Sequence, residues 1–227
     1  MRNLLGLSLG VAMMCGVTPA HADVRGVVRL GVLPLELEAS SDTPLFGDEV
    51  DRAVTAYNAA AAAYDQHHGG TTGRIDAGDL GVSETLMTFA PGLELGGRIY
   101  FMRLEGIVGI GDQLRTYGVG LYPVNLQMRL APKLVGYVSA GGTASWLDRK
   151  GSDGVGGLVS ARAAGGVRIS ERVSVEAGYS AFVLGGVVDL AAIDDYDPRM
   201  TAPPPPQSVV SAGDANGLVD LSVGVVF

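Results

Sequence analysis

Three kinds of residue in this sequence could do chemistry. They are an adjacent histidine pair, two acidic loop segments, and arginines and carboxylates set inside alternating stretches. His67 and His68 would serve as metal ligands or as a general base. Adjacent residues on a helix point in different directions, so the two are poor co-ligands, and they read as the end of a helix. "DDYDPR" clusters Asp194, Asp195 and Asp197, and "GDANG" supplies Asp214 and Asn216. Calcium needs alternating oxygen ligands with a closing Glu, and neither segment has that spacing. Both read as solvated acidic loops. The glycines of "GIVGIGD" lack a strand–turn–helix context, so no nucleotide site is expected. A Ser-His mechanism lacks its base, because every histidine lies outside the alternating stretches. No catalytic residue, cofactor or metal site is expected.

The third set is different. Arg29, Arg103, Arg162 and Arg168 stand against Glu94, Glu105, Glu176 and Asp220, four cations against four acids. Such a balance suits a narrow interior where charges must pair. Ion pairs on the solvent face of a sandwich are the alternative, and they need no such balance.

The elements that must position these charges are strands. "VRGVVRLGV" puts Val24, Val28, Leu30 and Val32 on one face and Arg25, Val27 and Arg29 on the other. "TLMTFAPGLELGG" sets Met87, Phe89, Leu93 and Leu95 against Thr88, Ala90 and Glu94. "FMRLEGIVGI", "TYGVGLYP", "PKLVGYVSAGGTASWL", "LVSARAAGGVRI", "VSVEAGYSAFV" and the final "LVDLSVGVVF" repeat the period of two. Roughly eight strands result, several near the length a tilted membrane strand needs. Their polar faces carry Gly, Ser, Thr and Ala with one or two Arg or acids each, plus Lys133, Tyr137 and Tyr122. Tyr100, Tyr122 and Phe227 fall at strand ends that share one side; Tyr117, Trp146 and Phe182 fall near the other, as two aromatic belts would.

Composition narrows the class. Residues 1–22 show an early Arg2, an apolar run too short to span a bilayer, and Ala20-His21-Ala22, the pattern of a cleaved secretory signal. The only cysteine, Cys15, lies in that segment, so the mature chain would hold no disulfide or thiolate site. Removing residues 1–22, which carry Arg2 and no acid, takes the net charge from −8 to −9. An acidic chain repels phosphate backbones, which argues against nucleic acid. Mean hydropathy is +0.28, without any apolar run near twenty residues after the signal. A closed β-barrel is the membrane solution left.

A secretory signal, eight alternating strands and a last strand ending in Phe227 resemble the small eight-stranded outer-membrane β-barrels of Gram-negative bacteria, the OmpA/OmpX-type superfamily. The resemblance implies an all-β, antiparallel, up-and-down transmembrane barrel over 23–227. It implies that Val219, Leu221, Val223, Val225 and Phe227 form the signal read by the barrel-assembly machinery. The partners implied are outer-membrane lipid and lipopolysaccharide, with an extracellular protein partner through the loops. With the chain ending at the barrel, no peptidoglycan-binding domain is expected to follow.

Connections on the periplasmic side read as tight at "GGRIY" and "ISER" and somewhat longer at "YPVNLQMRLAP"; the others read as longer extracellular loops, modest at "DRKGSDG". The loop over 39–83 carries a helix at about 48–66, with Asp48, Glu49 and Asp51 early, His67 and His68 late, and a weak apolar stripe through Val50, Val54, Tyr57, Ala61 and Tyr64. The loop over 187–216 is acidic, with a stiff Pro203–Pro206 spacer. The expected role is structural or recognition-like, with a filled lumen. A small channel, an outer-membrane lipid-modifying enzyme and a soluble periplasmic or secreted barrel binding an apolar ligand are the other readings.

Overall fold

The computed structural model describes residues 23–42, 47–97, 99–150, 155–188, 197, 199–204, 209–211 and 218–227. The signal segment, Asp194, Asp195, Asp214 and Asn216 lie outside them. The chain forms β1 (Asp23–Leu37), α1 (Gly47–His68), a 3-10 turn (Ala77–Leu80), β2 (Val82–Gly96), β3 (Phe101–Ile110), β4 (Leu114–Ala131), β5 (Leu134–Arg149), β6 (Val155–Ile169), β7 (Val173–Val188), β8 (Val209–Ser211) and β9 (Leu218–Val226). Every pairing is antiparallel between neighbours, and β9 pairs with both β7 and β1. The sheet therefore closes into an eight-stranded up-and-down barrel. β8 is a short extra strand on β7, above β9.

Closure continues past the last assigned strand residue. Phe227 N–H donates to Gly26 O at 3.0 Å and Gly26 N–H donates to Phe227 O at 2.9 Å. The Phe227 ring lies over Gly26, where a Cβ would collide with it. No free edge remains at this seam.

One end of the barrel carries tight turns. At β6–β7, Ser170 (φ 53°) and Glu171 (φ 60°) are left-handed, and Arg172 N–H donates to Ile169 O at 3.1 Å. This is a type I′ turn made from residues that dislike it. At β4–β5 only Pro132 and Lys133 intervene. Of the stretch from Tyr122 to Pro132, expected as a connection, all but Pro132 is strand instead. A bulge between Leu121 and Val124 adds a residue and shifts the alternation, so the period of two breaks there without ending the strand. Lys133, expected inside, is exposed in the turn.

The other end carries the two long connections, with the five residues 150–154 between β5 and β6 and a shorter link still between β3 and β4. β3 and β4 are joined by residues 111–113 alone, not by a long loop. Glu84 of β2 accepts from the backbone N–H groups of Gln113 (2.9 Å) and Leu114 (2.7 Å), which closes the turn from the strand neighbouring β3. α1 reaches His68, slightly beyond the expected end. Gly69 follows at φ 68°, and its N–H bonds to Asp65 O at 2.8 Å, the left-handed helix stop.

The α1 stripe Val50, Ala53, Tyr57 and Ala61 is buried, with Val50 and Ala53 packed with Ala39 and Leu80. Asn58 holds the returning chain at both ends of its amide: Ile75 N–H donates to Oδ1 (3.0 Å) and Nδ2 donates to Ile75 O (2.9 Å). Asp65 accepts from the Thr72 hydroxyl (2.7 Å), the Thr72 N–H (2.8 Å) and Arg74 (3.0 Å).

Candidate functional site

Strand parity places each charge. With period two, Arg29 on β1, Glu94 on β2, Arg103 and Glu105 on β3, Arg162 and Arg168 on β6, Glu176 on β7 and Asp220 on β9 share the inner face. Arg103 is fully buried, and Arg29, Glu94, Glu105, Arg168 and Glu176 are buried. Arg162 and Asp220 are slightly more open, at side-chain exposures of 10% and 15%.

The eight groups form one alternating chain. Arg168 bonds Glu94 at 2.7 Å, and Glu94 bonds Arg29 at 3.2 Å. Arg29 bonds Glu105 at 2.8 Å, and Glu105 lies 3.4 Å from Arg103 Nε. Arg103 grips Glu176 through both terminal nitrogens, at 2.7 and 3.3 Å. Glu176 bonds Arg162 at 2.9 Å, and Arg162 closes on Asp220 through Nη2 (2.5 Å) and Nε (2.9 Å). Each interior charge thus faces the opposite sign on both sides. That arrangement offsets the several kcal/mol that burying each ion costs, and the paired N–H forks are the strongest geometry available. Arg103 and Glu105, neighbours on one strand face, are joined less closely than Arg103 and Glu176 across the lumen.

Aromatic rings complete the cluster. The Tyr122 hydroxyl donates to Glu105 at 2.7 Å, and the Arg103 guanidinium stacks 4.0 Å from the Tyr122 ring centroid. Tyr122, fully buried, is not part of an aromatic belt, because it shares the inward parity of Thr116 and Gly120 and pairs with Arg103 across the β3–β4 ladder. Arg168 lies 5.5 Å from the Tyr137 centroid and 5.7 Å from that of Phe101. Gly178 gives the Arg162–Asp220 pair its room: a Cβ there would overlap both side chains.

Toward the long-loop end the interior changes character. Leu35, Leu37, Val82, Leu86, Leu114, Leu147, Leu158 and Leu218 form a buried cluster, flanked by Leu33. These residues carry no expectation from the sequence reading. Their signal is a reversal of the alternation at the strand ends: Leu33, Leu35 and Leu37 face in, while Pro34 and Glu36 face out.

The outer face is the inverse of the inner one. Val24, Leu30, Val32, Met87, Phe89, Leu93, Leu95, Leu104, Leu121, Leu126, Val138, Val159, Val175 and Tyr179 are exposed. So are Val219, Leu221, Val223 and Val225, each more than half exposed, and Phe227 at 77%. On β1, β2 and β9 the apolar run covers Val24–Val32, Met87–Leu95 and Val219–Phe227. Each spans eight residue steps, about 26 Å along the strand and about 20 Å along the barrel axis at the usual tilt. Above it the outward residues Glu36, Ser83, Thr85 and Arg115 are exposed, and below it the turn residues Lys133, Glu171 and Arg172. Trp146 and Tyr117 are cross-strand partners one outward step below Asp148 and Arg115, at the upper edge. Tyr100 is exposed at the turn end, its hydroxyl donating to Pro123 O; the Phe182 side chain lies outside the described residues.

His67 and His68 are exposed at the end of α1, where the His68 ring stacks on Tyr64 at 4.4 Å; neither approaches the lumen charges along the chain. Among the described residues no group of His, Cys, Asp and Glu is arranged to hold a metal ion, and no helix is long and apolar enough to cross a membrane.

No family model matches the chain, and no curated protein matches it. Among solved structures, one match is the crystal structure of Neisserial surface protein A (NspA), 10% identical, covering 91% of this chain and 99% of that one at a TM-score of 0.44.

Proposed function

We propose that this protein is an outer-membrane β-barrel of a Gram-negative bacterium with a non-enzymatic structural or surface-recognition role. One observation carries the reading: charges lie inside the barrel and a continuous apolar band lies outside. In water that band would be far larger than the apolar patches soluble monomers tolerate. Each half-exposed Leu or Val in it forgoes about 1 kcal/mol of burial. A soluble barrel for an apolar ligand needs the opposite arrangement, an apolar interior under a charged surface. The closed eight-stranded sheet satisfies its own backbone groups, which a bilayer requires.

The long-loop end, with α1, would face outside the cell and the tight turns the periplasm. Val219, Leu221, Val223, Val225 and Phe227 would be read by the barrel-assembly machinery. Membrane lipid, including lipopolysaccharide, would cover the band, and the loops would meet any extracellular protein partner. The non-enzymatic reading is supported by the lumen carboxylates, each engaged by an arginine, and by the place of His67 and His68 at the exposed end of α1, outside every strand. The test is cell fractionation with surface proteolysis. The protein should stay with outer membranes after alkaline extraction, and a tag beside Tyr57 should be cleaved on intact cells. Recovery in the soluble periplasm would refute the membrane assignment; protection of the tag would reverse the orientation.

A further inference from the structure

The barrel interior is built of two layers in series with opposite chemistry. The layer nearer the tight turns is the arginine–carboxylate chain, and its walls hold polar atoms that make no protein hydrogen bond. Asn125 is fully buried with both amide atoms unpartnered. Directly across the β4–β5 ladder, buried Ser139 has an unpartnered hydroxyl. Ser174, Arg29 Nε, Arg103 Nε and Arg168 Nε are in the same condition. Buried amides and guanidinium N–H groups in that state call for water, which costs little to immobilise where two or more polar partners converge. A small pocket at the tight-turn end, lined by Asp23, Arg25, Glu94, Phe101 and Gln127, touches this layer at Glu94, with Gln127 on the same inward face as Asn125. The layer nearer the long loops is the leucine cluster, where Leu86 and Leu114 are fully buried and Leu147 almost so. Its leucine side chains offer water no partner, the Glu84 carboxylate beside them is taken up by the Gln113 and Leu114 N–H groups, and an apolar constriction of this kind excludes water and ions by dewetting.

We infer that the lumen is a blind vestibule: water enters from the tight-turn end to hydrate the charge chain around Asn125 and Ser139, and the leucine layer is the barrier that keeps the barrel closed. This deepens the membrane-barrel reading and rests on it. The barrier is thus assigned to Leu86, Leu114 and Leu147 rather than to the ion pairs that occupy the middle of the lumen.

Two measurements test it. Refolded protein is reconstituted into phosphatidylcholine vesicles, and decay of an imposed pH gradient is followed with a trapped dye. Wild-type vesicles should decay at the rate of empty ones, and Leu114→Ser/Leu147→Ser vesicles at least tenfold faster. Wild-type leakage, or a variant that floats with vesicles and stays as tight as wild type, overturns the inference. The second measurement needs no variant: water-to-protein NMR cross-relaxation on the wild type in detergent micelles. The Asn125 side-chain amide should show bound water and the Leu86, Leu114 and Leu147 methyls none. Water at the methyls, or none at Asn125, overturns it even if the double variant does not fold. Failure of wild type to float with vesicles would count instead against the membrane reading, while the micelle experiment still decides the layered lumen.

Discussion

Glu176 touches Arg103 and Arg162 by hydrogen bonds and lies 3.8 Å from Arg29. Replacing it with Gln removes the negative charge on which three guanidinium groups converge. The variant should lose about 3–5 kcal/mol in urea unfolding, the cost typical of one partner taken from a buried pair. Arg25→Ala, which breaks the open Arg25–Asp23 contact of 3.6 Å, should cost about 0–1 kcal/mol. Equal losses would show that the lumen chain adds nothing beyond surface pairing. A second residue-scale prediction concerns Asp65. The Thr72 hydroxyl foremost, with the Thr72 N–H and Arg74, holds its carboxyl below the ordinary 3.8 against the opposing effect of burial. A depressed folded pKa means the contribution is present above 3.8 and is lost as pH falls through the lower folded value. Exchange protection of the Thr72 amide should therefore persist at pH 5 and vanish on further acidification below 3.8; loss already at pH 5 would contradict the carboxylate anchor. The sequence made the faces of these charges legible, because parity alone assigns inside and outside. It did not make the partners legible: Arg103 and Glu105 are close in sequence, yet the tighter bond to Glu176 depends on closure of the whole barrel.

At the scale of elements, the β6–β7 turn is the clearest place to gain stability. Ser170 and Glu171 both sit at positive φ, where a side chain other than that of Gly, Asn or Asp costs about 1 kcal/mol. Ser170→Asn/Glu171→Gly should raise the urea midpoint by the equivalent of about 1 kcal/mol without altering the barrel; an unchanged midpoint would mean the turn carries no such strain. Which elements could be read from sequence follows from how locally each is determined. β1 and β9 announce themselves by clean alternation. The second half of β4 does not, because the bulge at Tyr122 and Pro123 displaces the alternation by one residue. The β3–β4 turn looked long because its closing group, Glu84, comes from another strand. The leucine layer was hidden because each contributing strand supplies only one or two of its residues, in the phase opposite to the outward apolar run. α1 was readable from its acidic start, its histidine end and Gly69, whereas its pinning by Asn58 to Ile75 is a contact no periodicity encodes.

For the whole molecule, closure and surface chemistry are the two properties that matter. The seam between β9 and β1 ends with Phe227 paired to Gly26, and the ring needs the space that a glycine leaves. Gly26→Val should displace the ring while Phe227→Ala removes it, and under the assembly-signal reading both should lower the amount of barrel inserted in cells. Barrels already folded should unfold at nearly the wild-type urea concentration, since a terminal ring buries little area. Normal insertion of Phe227→Ala would refute that reading. The central claim, that the apolar band faces lipid, has a native reporter. Trp146 is the only tryptophan in the chain, lies on the outward face at 58% exposure, and stands at the upper edge of the band. Its fluorescence in vesicles made with brominated phosphatidylcholine tests the claim without any substitution. Bromine near the headgroup end of the acyl chain should quench Trp146 strongly, bromine near the chain terminus less, and aqueous iodide little. Full accessibility to iodide with no quenching by brominated lipid would contradict the claim.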